Sequence, residues 1–280
     1  MREIPYERVV NTVAKLCIDS NCLLGEDVKR VLKESLDKEE SEVGKGIIEQ
    51  ILENIEISER EMIPMCQDTG YTVVFLKLGS QVRIEGGELY DAINEGVRRG
   101  YLDGYLRKSI VKDPFRRVNT KDNTPAIIHT EIVPGDSLEI TVAPKGGGSE
   151  NMSEARVFAP AVGVEGVKDF VIDRVKRSGA NPCPPIIVGV GIGGTFEYSA
   201  YLAKKALLRE IGSTHPDPFY RDMERELLER INNLGIGPQG LGGRVTALAV
   251  FIEAYPCHIA SLPVAVNIQC HVARHKSARL

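Results

Sequence analysis

Residues 62–79 read MIPMCQDTGYTVVFLKLG, a stretch that joins a polar cluster directly to a predicted strand. The cluster consists of Cys66, Gln67, Asp68 and Thr69. The run YTVVFLKL that follows has the length and the β-branched content of a buried strand. A thiol, an amide and a carboxylate in sequence are not typical of a packed core. The stretch therefore predicts a functional loop at the mouth of a strand, with Thr69 bracing the loop.

On the N-terminal side, residues 5–60 show helical periodicity, with apolar side chains recurring every three or four positions. Further helices are predicted near residues 88–99, 165–178, 195–209 and 218–233, and strands in AIIHTEIV, SLEITVA, PPIIVGVGIGG, RVTALAVFIEAY and LPVAVNIQC. AIIHTEIV and SLEITVA flank PGD, which predicts an antiparallel hairpin. Strands and helices do not alternate strictly, so we expect a mixed α/β (α+β) fold. A helical N-terminal region would pack on a mixed sheet, within a single domain of residues 1–280.

The composition is that of a globular protein, with 42% hydrophobic and 26% charged residues and a formal net charge of −4. This charge argues against nucleic acid or an anionic membrane as a partner. No apolar run approaches the ~20 residues of a spanning helix. The N-terminus lacks a signal-peptide core, so a cytoplasmic protein is expected. Six cysteines in a chain of this length without a secretory signal do not suggest a disulfide framework, and with no C-x-x-C pair the zinc-ribbon and thioredoxin interpretations lack their signature.

Three of the six cysteines share a setting at strand–loop junctions. Cys66 precedes a strand, Cys183 lies in the stiff turn NPCPP, and Cys270 ends LPVAVNIQC. Such junctions gather ligands in open α/β sheets. A free cysteine is more often a small buried hydrophobe, which suits Cys17 and Cys22 on the helical segment. MCQDTG and NPCPP are not core sequences, so the thiols within them are better interpreted as functional.

Two glycine-rich stretches follow predicted strands. APKGGGSENMS, residues 143–153, could turn several backbone N–H groups toward one anion, with a flexible surface loop as the alternative. Gly189, Gly191, Gly193 and Gly194 match G-x-G-x-x-G. No second strand ending in an acidic residue follows them, which disfavours a dinucleotide site. Closing a turn between a strand and a helix is the better interpretation.

Basic residues and histidines are weaker candidates. Arg107 in YLRKSIVKDP would suit bidentate recognition of a carboxylate, although a charged run is usually a solvated face. His258 follows Cys257, and a lone histidine is more often structural than catalytic. His271 and His275 stand four apart in CHVARH, which is a weak zinc signal without a helix.

Five motifs, taken in order, carry a family resemblance: CQDTG, KGGGSENMS, ANPCPPIIVGVGIGG, GIGPQGLGG and SLPVAVNIQC. Together they resemble the N-terminal, cluster-binding half of class I iron–sulfur fumarate hydratases. More narrowly, the chain resembles the alpha subunit of the two-subunit form, which is related to the alpha subunit of L-tartrate dehydratase. The resemblance implies a hydro-lyase that interconverts fumarate and (S)-malate, and the sequence KGGGSENMS favours a fumarate hydratase over a tartrate dehydratase. An L-tartrate dehydratase or another dicarboxylate hydro-lyase is the alternative, and a nucleotide-linked oxidoreductase rests on the glycine cluster alone.

The same resemblance implies roles for individual residues. Cys66, Cys183 and Cys270 match the three thiolate ligands of a [4Fe–4S] cluster whose fourth iron meets the substrate. Asp68 matches a proton donor, and the implied substrate contacts are Gln67, Arg107, Gly147, Gly148 and His258. The chain ends ten residues after Cys270, so a beta subunit is expected to supply the catalytic base and further cations. Association of two alpha chains through uncovered apolar surface is a further expectation.

Overall fold

The computed structural model describes all 280 residues of the chain. The helices are α1 (Tyr6–Cys22), α2 (Glu26–Lys38), α3 (Glu42–Glu61), α4 (Leu89–Asp103), α5 (Gly147–Glu150), α6 (Gly163–Ser178), α7 (Phe196–Ala206) and α8 (Pro218–Asn232). The strands are β1 (Arg2–Pro5), β2 (Tyr71–Gly79), β3 (Val82–Glu85), β4 (Ile127–Val133), β5 (Leu138–Lys145), β6 (Glu154–Phe158), β7 (Ile186–Gly194), β8 (Ala247–Cys257), β9 (Leu262–Gln269) and β10 (Lys276–Arg279). The predicted mixed α/β fold with a helical N-terminal region is confirmed. None of the helices combines the length and the hydropathy that crossing a bilayer requires.

Contacts divide the chain into two compact units, each assembled from segments that are distant in sequence. Unit 1 consists of Met1–Leu24, Asn54–Gly147 and Arg274–Leu280. Unit 2 consists of Gly25–Glu53 and Gly148–Ala273. The expectation of a single domain for residues 1–280 stays a prediction.

Unit 1 is built on a four-stranded mixed sheet with the order β10-β5-β2-β4. The central strand β2 runs parallel to β4 and antiparallel to β5, and β10 is antiparallel to β5. Residues 72–76 of β2 are all buried, as a strand covered on both faces requires. The core includes Val10 and Val13 of α1 and Ile93 and Val97 of α4. A short parallel pair, β1 and β3, completes the strands of unit 1.

The predicted hairpin of AIIHTEIV and SLEITVA is wrong. These segments form β4 and β5, but β2 lies between them, pairing Val73 with Ile127 on one side and Val74 with Val142 on the other. The connecting residues 134–137 cross the end of β2, where the N–H of Gly79 donates to the carbonyl of Ser137 at 2.9 Å. A long apolar strand such as β2 needs a hydrogen-bonded neighbour on both edges, and β4 and β5 supply them.

Unit 2 contains a second four-stranded mixed sheet with the order β6-β9-β7-β8. The central strand β7 is parallel to β8 and antiparallel to β9. Helix α7 packs on β7 and β9, α8 packs on β8, and α6 packs on α8. Apolar side chains of α6, α8, β7, β8 and β9 form one core, which includes Val171, Val188, Leu227, Ile252 and Val266.

The glycines of β7 permit close packing of α7. A Cβ atom on Gly189 would lie 2.1 Å from the carbonyl oxygen of Ala203, and one on Gly191 would lie 2.0 Å from that of Ser199. Gly193, the residue before the last one of the strand, has φ +93°, a conformation that a side chain would strain. The G-x-G-x-x-G pattern thus serves the junction between a strand and a helix, in agreement with the interpretation from sequence.

Candidate functional site

The Asp68 loop, defined here as residues 66–70, leads into β2 and holds a carboxylate in one orientation. The Oδ1 atom of Asp68 accepts the N–H of Gly70 at 3.0 Å, and Oδ2 accepts the N–H of Gly147 at 2.8 Å. The N–H of Asp68 itself donates to Sγ of Cys66 at 3.4 Å. Thiol and carboxylate therefore share one short, internally bonded loop.

Strand directions explain which segments meet around this loop. Tyr71 at the start of β2 pairs with Lys145 at the end of β5, because the two strands are antiparallel. Lys276 at the start of β10 pairs with Val142, close to the same end of β5. The Asp68 loop, the glycine turn after β5 and the residue Arg274 before β10 accordingly gather at one end of the unit 1 sheet.

Arg274 is a buried cation that sequence reasoning missed. Its side chain donates from Nη2 to the backbone oxygen of Asp68 at 2.5 Å, while Nε and Nη1 have no hydrogen-bond partner. The residue is only 3% exposed. A buried donor without a partner is costly, so Nε and Nη1 make Arg274 a candidate contact for an anion. From the sequence, only the two histidines of CHVARH were considered as candidate ligands, and its arginine was not.

Buried polar side chains hold the backbone of the Asp68 loop. The hydroxyl of Tyr101 reaches the carbonyl oxygens of Thr69 at 2.9 Å and Gly70 at 3.1 Å. Burial raises the pKa of Tyr101 well above its usual range, so the hydroxyl keeps its proton and remains a donor. Asn123, fully buried, also donates to the carbonyl of Gly70, at 3.3 Å. Neither residue carries a motif that could have identified it from the sequence.

Gln67 and Arg107 expose their side chains in unit 1. The loop that carries Arg107 is tied to the Asp68 loop, because the hydroxyl of Thr69 donates to the backbone oxygen of Arg107 at 3.1 Å.

The predicted site residues are divided between the two units. Five of them belong to unit 1: Cys66, Gln67, Asp68, Arg107 and Gly147. The other four, Gly148, Cys183, His258 and Cys270, belong to unit 2.

The cysteine pair, Cys183 and Cys270, lies on neighbouring loops at one end of the unit 2 sheet. Cys183 precedes β7 and Cys270 follows β9, and Ile187 pairs with Gln269 where these antiparallel strands meet. The N–H of His271 donates to the carbonyl of Cys183 at 3.4 Å. Cys183 has φ +56°, an uncommon conformation for a residue with a side chain, and it is exposed.

His258 lies at the opposite end of unit 2 from the cysteine pair. It follows β8, whose last residue Cys257 pairs with Gly194 at the far end of β7. The nine residues of β7 span about 26 Å at the usual rise per residue. His258 lines an open cavity of about 610 Å³ together with the rings of Phe196, Tyr198 and Tyr255. Within unit 2, the fold does not bring His258 to the cysteine pair.

The remaining thiols have clear settings. Cys17 and Cys22 are fully buried, and burial raises the pKa of Cys17 to about 12, which keeps it protonated. None of the six cysteines forms a disulfide. The structure contains no group of three or more His, Cys, Asp or Glu side chains placed to hold a metal ion. The convergence of Cys66 with the cysteine pair therefore stays a prediction.

Comparison with known proteins covers nearly the whole chain. A family model described as fumarate hydratase (Fumerase) matches residues 10–279. A putative L(+)-tartrate dehydratase subunit alpha of Methanocaldococcus jannaschii is 44% identical over 279 residues, which is 98% of this chain and 98% of that protein. The L(+)-tartrate dehydratase subunit alpha of Escherichia coli K12 is 35% identical over 282 residues, 98% of this chain and 92% of that protein. These matches confirm the resemblance inferred from the five motifs.

Proposed function

Because the chain belongs to the fumarate hydratase (Fumerase) family, we propose that it is the alpha subunit of a two-subunit [4Fe–4S] hydro-lyase that interconverts fumarate and (S)-malate. The observation that carries the proposal is the Asp68 loop, where an oriented carboxylate lies beside a thiol and a buried guanidinium with free donors. Moving water onto or off a dicarboxylate needs a positioned acid and cations that hold carboxylates. The loop combines both.

The chemistry of the thiols fits the proposed cofactor. No disulfide involves Cys66, Cys183 or Cys270, and none of these three is fully buried, whereas Cys17 and Cys22 are. Soft thiolates are the ligands that iron–sulfur clusters use, and an N–H donated to sulfur, as Cys66 receives, is a common accompaniment. When bound, the cluster would supply a Lewis-acidic iron for a substrate oxygen.

The side chains of unit 1 would handle the substrate. Asp68 would give its proton to the departing hydroxyl group of malate and take it back in the reverse direction. Gln67 and Arg107, both exposed, would hold a substrate carboxylate. Gly147 would act by orienting Asp68, because its N–H already donates to Oδ2. We assign the base for the carbon-bound proton to a beta subunit, as the relatives' designation as alpha subunits supports.

Two further assignments, Gly148 and His258, fall in unit 2. Gly148 lies against the turn of Cys183, since a Cβ on it would stand 3.3 Å from the carbonyl oxygen of Asn181. His258 is proposed as a substrate contact. The family resemblance alone supports this role, because His258 lies at the far end of β7 from Cys183 in unit 2.

L(+)-tartrate is the second candidate substrate, because the relatives described above carry the name of its dehydratase. Tartrate is also a C4 dicarboxylate with a hydroxyl group beside a carboxylate. Its dehydration would make the same demands on Asp68 and Arg107. The choice between the two substrates depends on how the second hydroxyl group of tartrate is accommodated.

The test is anaerobic reconstitution of the chain with iron and sulfide, with and without the candidate beta subunit, followed by assays on fumarate, (S)-malate and L(+)-tartrate. We expect fumarate turnover only when both subunits are present, and loss of iron and activity in Cys270→Ser. Cys257→Ser, a change at another exposed thiol, should keep its iron. Turnover of tartrate alone would select the second candidate. An active preparation without iron would overturn the proposal.

A further inference from the structure

The GIGPQGLGG loop, residues 235–243 of unit 2, has no part in the proposed reaction, yet it packs on the turn that carries Cys183. The backbone N–H of Gln239 donates to the carbonyl of Pro184 at 2.8 Å. A Cβ atom on Gly240 would stand only 2.3 Å from Cβ of Ala180, so the loop approaches this turn as closely as a glycine allows. The contact is therefore tight and specific.

The side-chain amide of Gln239 reaches both loops of the cysteine pair. Its Nε2 atom donates to the carbonyl of Pro184 at 2.9 Å and lies 3.2 Å from Nδ1 of His271. Pro184 follows Cys183 in the chain, and His271 follows Cys270. An amide nitrogen carries two hydrogens, so one Gln side chain can hold both loops at once.

The GIGPQGLGG loop is itself anchored, which gives the amide a fixed base. The N–H of Gly237 donates to the hydroxyl of Thr246 at 3.1 Å, and the N–H of Gly242 closes a turn on the carbonyl of Ile236 at 2.9 Å. Just beyond the loop, the N–H groups of Arg244 and Val245 donate to the buried carboxylate of Glu39 at 2.9 and 2.8 Å.

A direct contact between the two cysteine loops also involves His271. Its Nδ1 atom lies 3.0 Å from the carbonyl oxygen of Cys183, besides the contact with Gln239. A single ring nitrogen either donates or accepts, so only one of these two contacts is a hydrogen bond in a given tautomer. In the tautomer whose Nδ1 accepts, the amide of Gln239 donates to His271 and so connects the residue after Cys270 to the turn of Cys183.

We propose that Gln239 is a positioning residue, whose side-chain amide holds the loops of Cys183 and Cys270 at a fixed separation. This positioning role relies on the proposed function only for its use, which is to present two thiolates to a cluster. Outer residues that orient metal ligands typically affect affinity by about 10–100-fold, and we expect Gln239 to fall in this range.

Two variants remove the donors of the amide while preserving its length. Gln239→Glu replaces the NH₂ group with a carboxylate oxygen that cannot donate, and Gln239→Met replaces the whole amide with a thioether of similar length that has no donor and no charge. Both keep the backbone N–H that donates to Pro184. Gln81→Glu, at an exposed glutamine of unit 1, is the matched control.

The first measurement uses the cluster-free full chain and a trivalent arsenical that binds two neighbouring thiols, in a Cys66→Ser background. We expect the parent chain to bind the arsenical and Cys183→Ser to abolish this binding. Both Gln239 variants should bind it about tenfold or more weakly, and Gln81→Glu should bind it as the parent does. Equal affinity in the Gln239 variants would overturn the inference, as would a chain that does not bind the reagent. Weakening accompanied by an equal loss of folded structure in circular dichroism would also count against it.

The second measurement follows iron release from the reconstituted chain to a chelator. Both Gln239 variants should lose iron about 10–100 times faster than the parent and the Gln81→Glu control. Release at the parental rate would overturn the role of Gln239. If the parent chain takes up no iron at all, the proposed function fails, and the arsenical measurement still decides the inference about Gln239.

Discussion

The Asp68 loop of unit 1 and the cysteine pair of unit 2 are held in opposite ways. The Asp68 loop is supported from inside by buried polar side chains, among them Tyr101, Asn123 and Arg274. In the cysteine pair, Gln239 contacts the backbone carbonyl of Pro184 in one loop and the imidazole of His271 in the other, and Cys183 is exposed. The difference fits two tasks. A group that transfers a proton needs a fixed orientation, whereas thiols that receive a metal must remain accessible.

The largest effect that can test this division is expected from Asp68→Asn. The amide cannot deliver a proton as an acid does, so kcat should fall about 10³-fold, within the range usual for general acids. Because Asp68 is not a thiolate ligand, iron content should equal that of the parent enzyme. Kinetics on fumarate and an iron assay of the same sample provide the measurement. Loss of iron in this variant would show that the two regions do not divide the tasks as proposed.

An intermediate effect, on stability rather than turnover, is expected from Glu39→Gln in unit 2. Burial alone raises the pKa of Glu39, but the N–H groups of Val245, Ser41, Arg244 and Glu40 together lower it below its usual value. An amide offers one accepting oxygen instead of two, so we expect a loss of about 2 kcal/mol at pH 7. Urea unfolding measures the loss. Glu40→Gln, at the exposed neighbouring residue, is the control.

The pH dependence of the Glu39 effect has a definite sign. A carboxyl group with a lowered pKa in the folded chain contributes stability above its unfolded pKa of about 4.3. That contribution is lost as the pH falls through the lower folded pKa. The parent chain should therefore lose this stability below about pH 4, and the difference from Glu39→Gln should shrink there. A constant difference between pH 7 and pH 3 would contradict the assignment.

The smallest effect is expected from Arg107→Lys in unit 1. A lysine keeps the charge but cannot reproduce the two-pronged contact with a carboxylate, so KM should rise about tenfold, equivalent to about 1.4 kcal/mol. Turnover at saturation should change little, because Arg107 is proposed to bind and not to react. Steady-state kinetics separate the two parameters, with Arg116→Lys at an exposed arginine as the control. An unchanged KM would place carboxylate recognition elsewhere.

Local patterns determined most of the elements. The periodicity of residues 5–60 predicted α1, α2 and α3, and the apolar run after Thr69 predicted the buried strand β2. The settings of Cys66, Cys183 and Cys270 at strand ends were likewise visible, because each lies within a few residues of the strand that positions it. Such features depend on neighbours along the chain, so a single sequence contains them.

Only the tertiary structure decided which segments lie side by side. It placed β2 between β4 and β5, where a hairpin was expected, and it brought Arg274 to Asp68 through the pairing of β10 with β5. It also carried Gln239 to the cysteine pair and His258 to the other end of β7. Hydrogen bonding along a strand edge accepts almost any side chain, so strand order leaves little trace in local sequence. It follows instead from burying all the apolar faces at once.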